Sequence, residues 1–186
     1  MEGYPDLTVL RLGHRPGRDE RMTTHVGLTA RALGADRVVL AGPASDRAGP
    51  IREVTDRFGG PFEVGTTDDP VDRIDDCPEA VVHLTMYGLP MRTELPAVRA
   101  AYSGDADEAG EEMEGLVVVV GAEKVPWPVY EAADWNLAVT NQPHSEVASL
   151  AVFLDRLFEG EELDREWHDA DRRVLPRAVG KRVEEL

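Results

Sequence analysis

The chain has 186 residues, enough for one domain with a sizeable core, and its 42% hydrophobic content is that of an ordinary globular protein. No apolar run approaches membrane-spanning length and the first residues are neither basic nor apolar, so neither a span nor a signal peptide is predicted and the protein is expected in the cytoplasm. The single Cys77 excludes an internal disulfide framework or a Cys-rich metal site, and 36 acidic against 20 basic residues give a formal net charge of −16.

Only two bases are lysines, Lys124 and Lys181. So acidic a surface keeps a protein soluble but repels itself, a trade expected of a halophile, where salt screens the repulsion. Acidity of this size argues against nucleic-acid binding unless the charge is uneven.

In chain order, a β-prone apolar run at 7–12 is followed by a helical pattern at 24–33, a strand at 37–40 and a helix at 50–58. Strands at 62–64 and 80–84, a helix at 91–102 and strands at 116–120 and 137–139 follow. A long helix at 145–158 places Val147, Leu150, Ala151, Leu154, Leu157 and Phe158 on a broad apolar stripe, with Ser145 at its start as a cap. Strands alternating with helices predict a largely parallel sheet covered on both faces. The stretch 103–115 holds six acids and no base and reads as a solvated loop. The tail from Glu159 mixes charges of both signs with Trp167, Val174, Leu175 and Val179 and reads as one or two docked helices.

Two polar loops follow apolar strands: Gly121-Ala122-Glu123-Lys124-Val125-Pro126 and Asn141-Gln142-Pro143-His144-Ser145-Glu146. Loops at the carboxyl ends of strands are where open α/β sheets bind ligands. Neither is a phosphate cradle, because no G-x-x-x-x-G-K-[ST] or G-x-G-x-x-G occurs in the chain, which leaves another nucleotide-like ligand. The charge is indeed uneven. Arg11, Arg15, Arg18, Arg21, Arg31 and Arg37, with His14 and His25, stand against only Asp19, Glu20 and Asp36, forming a candidate phosphate-binding patch. His14 and His25 lie too far apart in the chain for a metal site, so none is expected. His144, Ser145 and Glu146 are adjacent and cannot aim at one another as a hydrolytic triad, and no G-x-S-x-G elbow is present.

The runs Arg11-Leu12-Gly13-His14-Arg15, Arg18-Asp19, Arg21, Thr23-Thr24-His25, Thr29-Ala30-Arg31-Ala32-Leu33-Gly34-Ala35-Asp36, His83-Leu84-Thr85-Met86-Tyr87-Gly88, 118–126 and 141–154 resemble the archaeal tRNA (cytidine(56)-2′-O)-methyltransferase family of the SPOUT superfamily. The resemblance runs in order from about Thr8 to Phe158. It implies a SPOUT-type α/β fold: a mostly parallel sheet, helices on both faces and a C-terminal trefoil knot, an exception to the rule that chains are un-knotted. By the resemblance, residues 1–158 are expected to form the methyltransferase domain and 159–186 a helical extension of it. The implied activity is 2′-O-methylation of a T-loop cytidine ribose in tRNA by a homodimer using S-adenosylmethionine; the alternative is a non-catalytic SPOUT-like RNA-binding protein.

By the resemblance, cofactor contacts fall on Leu84, Gly121, Ala122, Glu123, Lys124, Val125, Val139, Thr140, Asn141, Gln142, Pro143, His144, Ser145 and Glu146. Thr140 stands where a small residue, commonly Gly, is usual. The stretch from His25 to Arg31 resembles the first SPOUT 2′-O-methyltransferase motif, which makes Arg31 the catalytic arginine and puts His25 where the wider superfamily has Asn. Arg11, His14, Arg15, Arg18, Arg21 and His25 are then the expected RNA-binding residues.

Overall fold

The computed structural model describes residues 4–15, 17–75, 77–103, 114–121 and 124–186. The acidic stretch expected as a loop lies mostly outside them. Six strands form one sheet in the order β3-β2-β1-β5-β4-β6: β1 Asp6–Leu12, β2 Arg37–Ala41, β3 Glu63–Thr67, β4 Ala80–Pro90, β5 Gly115–Gly121 and β6 Trp135–Ala138. Every neighbouring pair in this sheet is parallel. The composition explains this, since Leu116 through Val120 is continuously apolar, its four valines β-branched, and such a strand is stable only where both faces are covered.

Alternation along the strands separates two cores. Leu7 and Val9 of β1 and Val82 and Leu84 of β4 face helices α1 Glu20–Ala32, α2 Ala48–Phe58, α4 Met91–Ser103 and α6 Glu146–Phe158. Leu10 and Leu12, with Val81, Val117 and Val119, face the short helices α3 Asp72–Asp75 and α5 Trp127–Ala132 through Ile74 and Val129. Between α1 and β2 the chain turns at Gly34, whose φ is +92° and where a Cβ would lie 2.7 Å from the Phe158 ring, so any side chain fails on both conformation and space. Among the described residues no helix is long and apolar enough to cross a membrane.

Several elements depart from the sequence pattern. Helix α1 starts at Glu20 rather than at Thr24, and the short helices α3 and α5 appear where no element was read. The C-terminal segment is not helical. It forms one 3₁₀ turn, Glu161–Asp164, and then an antiparallel ribbon of β7 Arg172–Val174 and β8 Val183–Glu185. Pro176 bars a helix through this stretch and Gly180, at φ +83°, serves the turn. Val174 and Val179 remain exposed rather than docked.

The surplus of negative charge sets one expectation for the whole fold. Melting temperature should rise steeply as potassium chloride is raised toward molar concentrations, because screening removes self-repulsion. A scan across salt concentrations checks this, and a flat curve would remove the halophile reading.

Candidate functional site

The second half of β4 and the segments that follow β5 and β6 converge on one cavity of about 540 Å³, a volume suited to a nucleoside-sized ligand. Its walls include His83 through Tyr87, Gly121, Lys124, Val125, Tyr130, Pro143, His144, Glu146 and Ser149. The β6 loop is pinned to the β4 segment, because Asn141 Nδ2 donates to the Met86 and Gly88 carbonyls at 2.8 and 3.1 Å. Ser145 caps α6, its Oγ accepting the Val147 N–H at 3.2 Å.

The floor of the cavity carries a bare acceptor. Asn136 Nδ2 donates to the Tyr130 carbonyl at 2.9 Å, which turns its Oδ1 toward His83 Nδ1, 2.8 Å away. His83 Nδ1 must therefore be the donor, and the neutral ring keeps a lone pair on Nε2. That atom is buried and has no partner among the described residues, and the whole side chain is inaccessible. Burial lowers the His83 pKa, only partly opposed by the Asn136 hydrogen bond, so the imidazole stays neutral.

Beneath the wall, Arg11 Nη2 binds Glu146 Oε1 at 2.9 Å; the arginine side chain is 0% and the glutamate 22% exposed. Burial pulls the Arg11 pKa down while Glu146 and Asp19 hold it up. The pair ties β1 to the first turn of α6, where a carboxylate also faces the positive end of the helix dipole.

Of the cofactor residues expected, Leu84, Gly121, Lys124, Val125, Pro143, His144 and Glu146 line the cavity. Val139, Thr140, Asn141, Gln142 and Ser145 belong to the same β6 loop without lining it, and Ala122 and Glu123 lie outside the described residues. His83, Thr85, Met86, Tyr87, Tyr130 and Ser149 line the cavity but were missed. His83 and Thr85 alternate with Leu84, so strand periodicity placed them on the opposite face from it, while Tyr130 sits on the unforeseen α5.

The basic segment divides into an inner and an outer part. Arg11 and His14 do not reach the surface, which corrects their expected role in meeting RNA directly. Arg11 shares the strand face of Leu7 and Val9 and so points inward under α6, and His14 is held by Thr23 Oγ1 at 2.9 Å. Arg15 forks onto Asp19 with contacts of 2.8 and 3.0 Å. Arg18, Arg21 and His25 are exposed on the turn before α1 and along it.

The Arg15 hydrogen bonds hold the Asp19 carboxyl down at about 2, from an ordinary 3.8. A depressed carboxyl stabilises the fold fully above the unfolded value and loses that contribution as pH falls through the folded one. The pair's contribution should thus be present above about pH 4 and vanish toward pH 2, and Asp19→Asn should remove that acid limb from a melting-temperature profile.

The structure does not bring Arg31 to the cavity. It sits in the last turn of α1, at the opposite end of the sheet, because a helix following a parallel strand runs back toward the strands' amino ends. Its Nη2 donates to the Gly59 carbonyl at 2.5 Å and its guanidinium lies 4.1 Å from the Trp167 ring centre. Among the described residues, no three His, Cys, Asp or Glu side chains gather as a metal site.

The chain is 63% identical over 183 residues to the tRNA (cytidine(56)-2′-O)-methyltransferase of Haloarcula marismortui, covering 98% of this chain and 97% of that protein. It is 46% identical over 183 residues to the protein of the same description from Thermococcus kodakarensis, covering 97% of each. Among solved structures, the A. aeolicus TrmH/SpoU tRNA modifying enzyme matches with a TM-score of 0.56 at 14% identity, over 84% of this chain and 76% of that one. The SpoU methyltransferase AviRb from Streptomyces viridochromogenes, in complex with the cofactor AdoMet, matches with a TM-score of 0.52 at 11% identity, over 83% of this chain and 60% of that one. These two likenesses are of fold alone. The family model described as tRNA ribose 2′-O-methyltransferase, aTrm56, matches residues 58–184, and with relatives this close over nearly the whole chain the protein belongs to that family.

Proposed function

We infer that the protein methylates the ribose 2′-oxygen of cytidine 56 in tRNA, using S-adenosylmethionine. The observation that carries this reading is the cavity at the ends of β4, β5 and β6, in a chain of this family. The residues present fit the cofactor. The cavity has apolar walls at Leu84 and Val125 for an adenosyl group, and an orphaned acceptor at His83 Nε2 that a ligand N–H or O–H satisfies. When bound, S-adenosylmethionine supplies an electrophilic methyl group.

The chain's own residues do the rest. Gly121 lets backbone approach the ligand closely, His83 receives one hydrogen bond, and Glu146 and Lys124 set the charge at the wall. Arg18, Arg21 and His25, exposed beside α1, are placed to meet the RNA. Mass mapping of ribose methylation in tRNA incubated with the protein and S-adenosylmethionine tests the function. One added methyl at the ribose of cytidine 56 is expected; no transfer, or a methyl on a base, overturns it.

His83→Phe should weaken S-adenosylhomocysteine binding by about tenfold, the effect of removing one hydrogen bond of about 1–1.5 kcal/mol, in a protein that still melts cooperatively. Calorimetry checks it, and unchanged affinity removes the acceptor from the binding site.

We further propose a trefoil knot in the region from β5 to α6. In its favour, β4 lies between β5 and β6 in the sheet, and the second half of β4 and the loops after β5 and β6 close on one cavity. A homodimer across α1 and α6 accords with the shallow apolar hollow lined by Leu28, Ala32, Leu33, Val147 and Ala151. A working place in the cytoplasm follows from the tRNA substrate.

Two roles for Arg31 lead to different outcomes. In the role implied by the motif it stabilises charge on the reacting oxygen, by way of a partner protomer. In the role its surroundings favour it clamps the C-terminal segment through Gly59 and Trp167.

A further inference from the structure

A second cavity of about 690 Å³ lies at the amino-end side of the sheet, between the last turn of α1, Phe58 and the C-terminal segment. In a chain of net charge −16 its walls carry Arg31, Arg165, Arg172 and Arg173, with His168 and a single acid, Glu166. The partners of these arginines leave positive charge over. Arg165 reaches Asp36 at 3.5 Å and the Ala35 and Pro61 carbonyls at 3.1 and 3.3 Å, and Arg172 pairs with Glu185 at 2.9 Å. Arg173 stands opposite Glu184 in the ribbon, and its guanidinium makes no hydrogen bond or ion pair among the described residues.

Arg31 is 7% exposed, and among the described residues no carboxylate pairs with it and its buried Nε has no acceptor. Its guanidinium and that of Arg165 approach the same Trp167 ring, at 4.1 and 5.4 Å from the centre. Burial and the neighbouring Arg165 both push the Arg31 pKa down. A buried cation beside a like charge is costly until an anion joins it.

We propose that this cavity binds a backbone phosphate of the tRNA, at a site separate from the ribose that is methylated. Guanidinium forks suit the oxygens of a phosphodiester. A guanidinium already stands over the Trp167 ring, which favours recognition of phosphate over stacking of a base. The proposal rests on the tRNA-methylating reading for the identity of its ligand. It also gives the C-terminal ribbon a task, because Arg172 and Arg173 belong to β7.

The test measures binding of full-length tRNA to the whole protein over a range of potassium chloride, for wild type, Arg173→Gln and the double variant Arg172→Gln/Arg173→Gln. Both positions are exposed, so folding should survive, and a melting curve with a calorimetric S-adenosylhomocysteine titration verifies it. Affinity for tRNA should fall several-fold in the single variant and further in the double, and the slope of log K against log salt should shrink by about 1 for each arginine–phosphate pairing removed. S-adenosylhomocysteine binding should not change. If wild type methylates tRNA but the variants keep its affinity and slope, the second site is wrong while the function stands; if wild type neither binds nor methylates tRNA, the function itself has failed. A titration with inorganic phosphate separates the sources of anion. Phosphate competing with tRNA supports the proposal, and phosphate held tightly but not displaced by tRNA overturns it in favour of a small-anion site.

Discussion

Glu146→Ala should destabilise the protein by about 3–5 kcal/mol, the cost of leaving a buried charge without its partner. Arg11 is wholly inaccessible, and among the described residues Glu146 supplies the one carboxylate within hydrogen-bond distance of it. The reverse change should cost less, because Glu146 keeps 22% of its side chain in water and can hydrate when Arg11 becomes Met. Replacing both, as Arg11→Met with Glu146→Leu, should recover most of the loss, since neither charge then remains buried. Denaturant titration of the four proteins checks the series. Equal losses for the two single changes would mean that the pair is hydrated and that burial does not govern it.

Arg31→Ala separates the two roles of that residue. As a clamp it should cost about 2 kcal/mol, from the desolvated cation–π contact with Trp167 and the hydrogen bond to Gly59, with some return from relief of Arg165. For a chain of this length that is a fall in melting temperature of roughly 4–8 °C. Single-turnover methyl transfer at a temperature where the variant is folded should then stay near the wild-type rate. A catalytic donor gives the opposite pair of results, a loss of about 10²–10³ in rate with little change in melting. Arg31→Lys is informative too, because a point charge replaces neither the planar stack nor the fork.

Much of the fold was legible because both periodicities were strong. Leu116 through Val120 could only be a strand covered on both faces, and the stripe from Val147 to Phe158 could only be a covering helix. The two polar loops marked the cavity for the same reason, as they interrupt such strands at the carboxyl end. What escaped was set by direction and by distant contacts. The net-positive stretch was visible as composition, but strand alternation turns Arg11 inward, and only Glu146, far along the chain, makes that position tolerable. His83 reads as one polar residue in an apolar strand until Asn136 and Tyr130 fix its tautomer. The motif likeness singled out Arg31, and the direction of α1 carries it to the end of the sheet opposite the cavity of its own chain. The C-terminal ribbon was missed because its residues bury little, so no apolar period announces it.

The order of the strands also bears on how the chain comes off the ribosome. β1 sits between β2 and β5, and its β5 edge waits for about a hundred further residues to be made. At typical synthesis rates that is roughly 5–20 s during which the edge of β1 has no strand to pair with. The half built from β1, β2 and β3 can assemble early, whereas the pocket needs β4, β5 and β6 together. Arg11 is therefore made long before Glu146, and its charge stays hydrated until α6 arrives to cover it. Nascent chains of this protein should accordingly be most prone to association while their C-terminal third is still inside the ribosome.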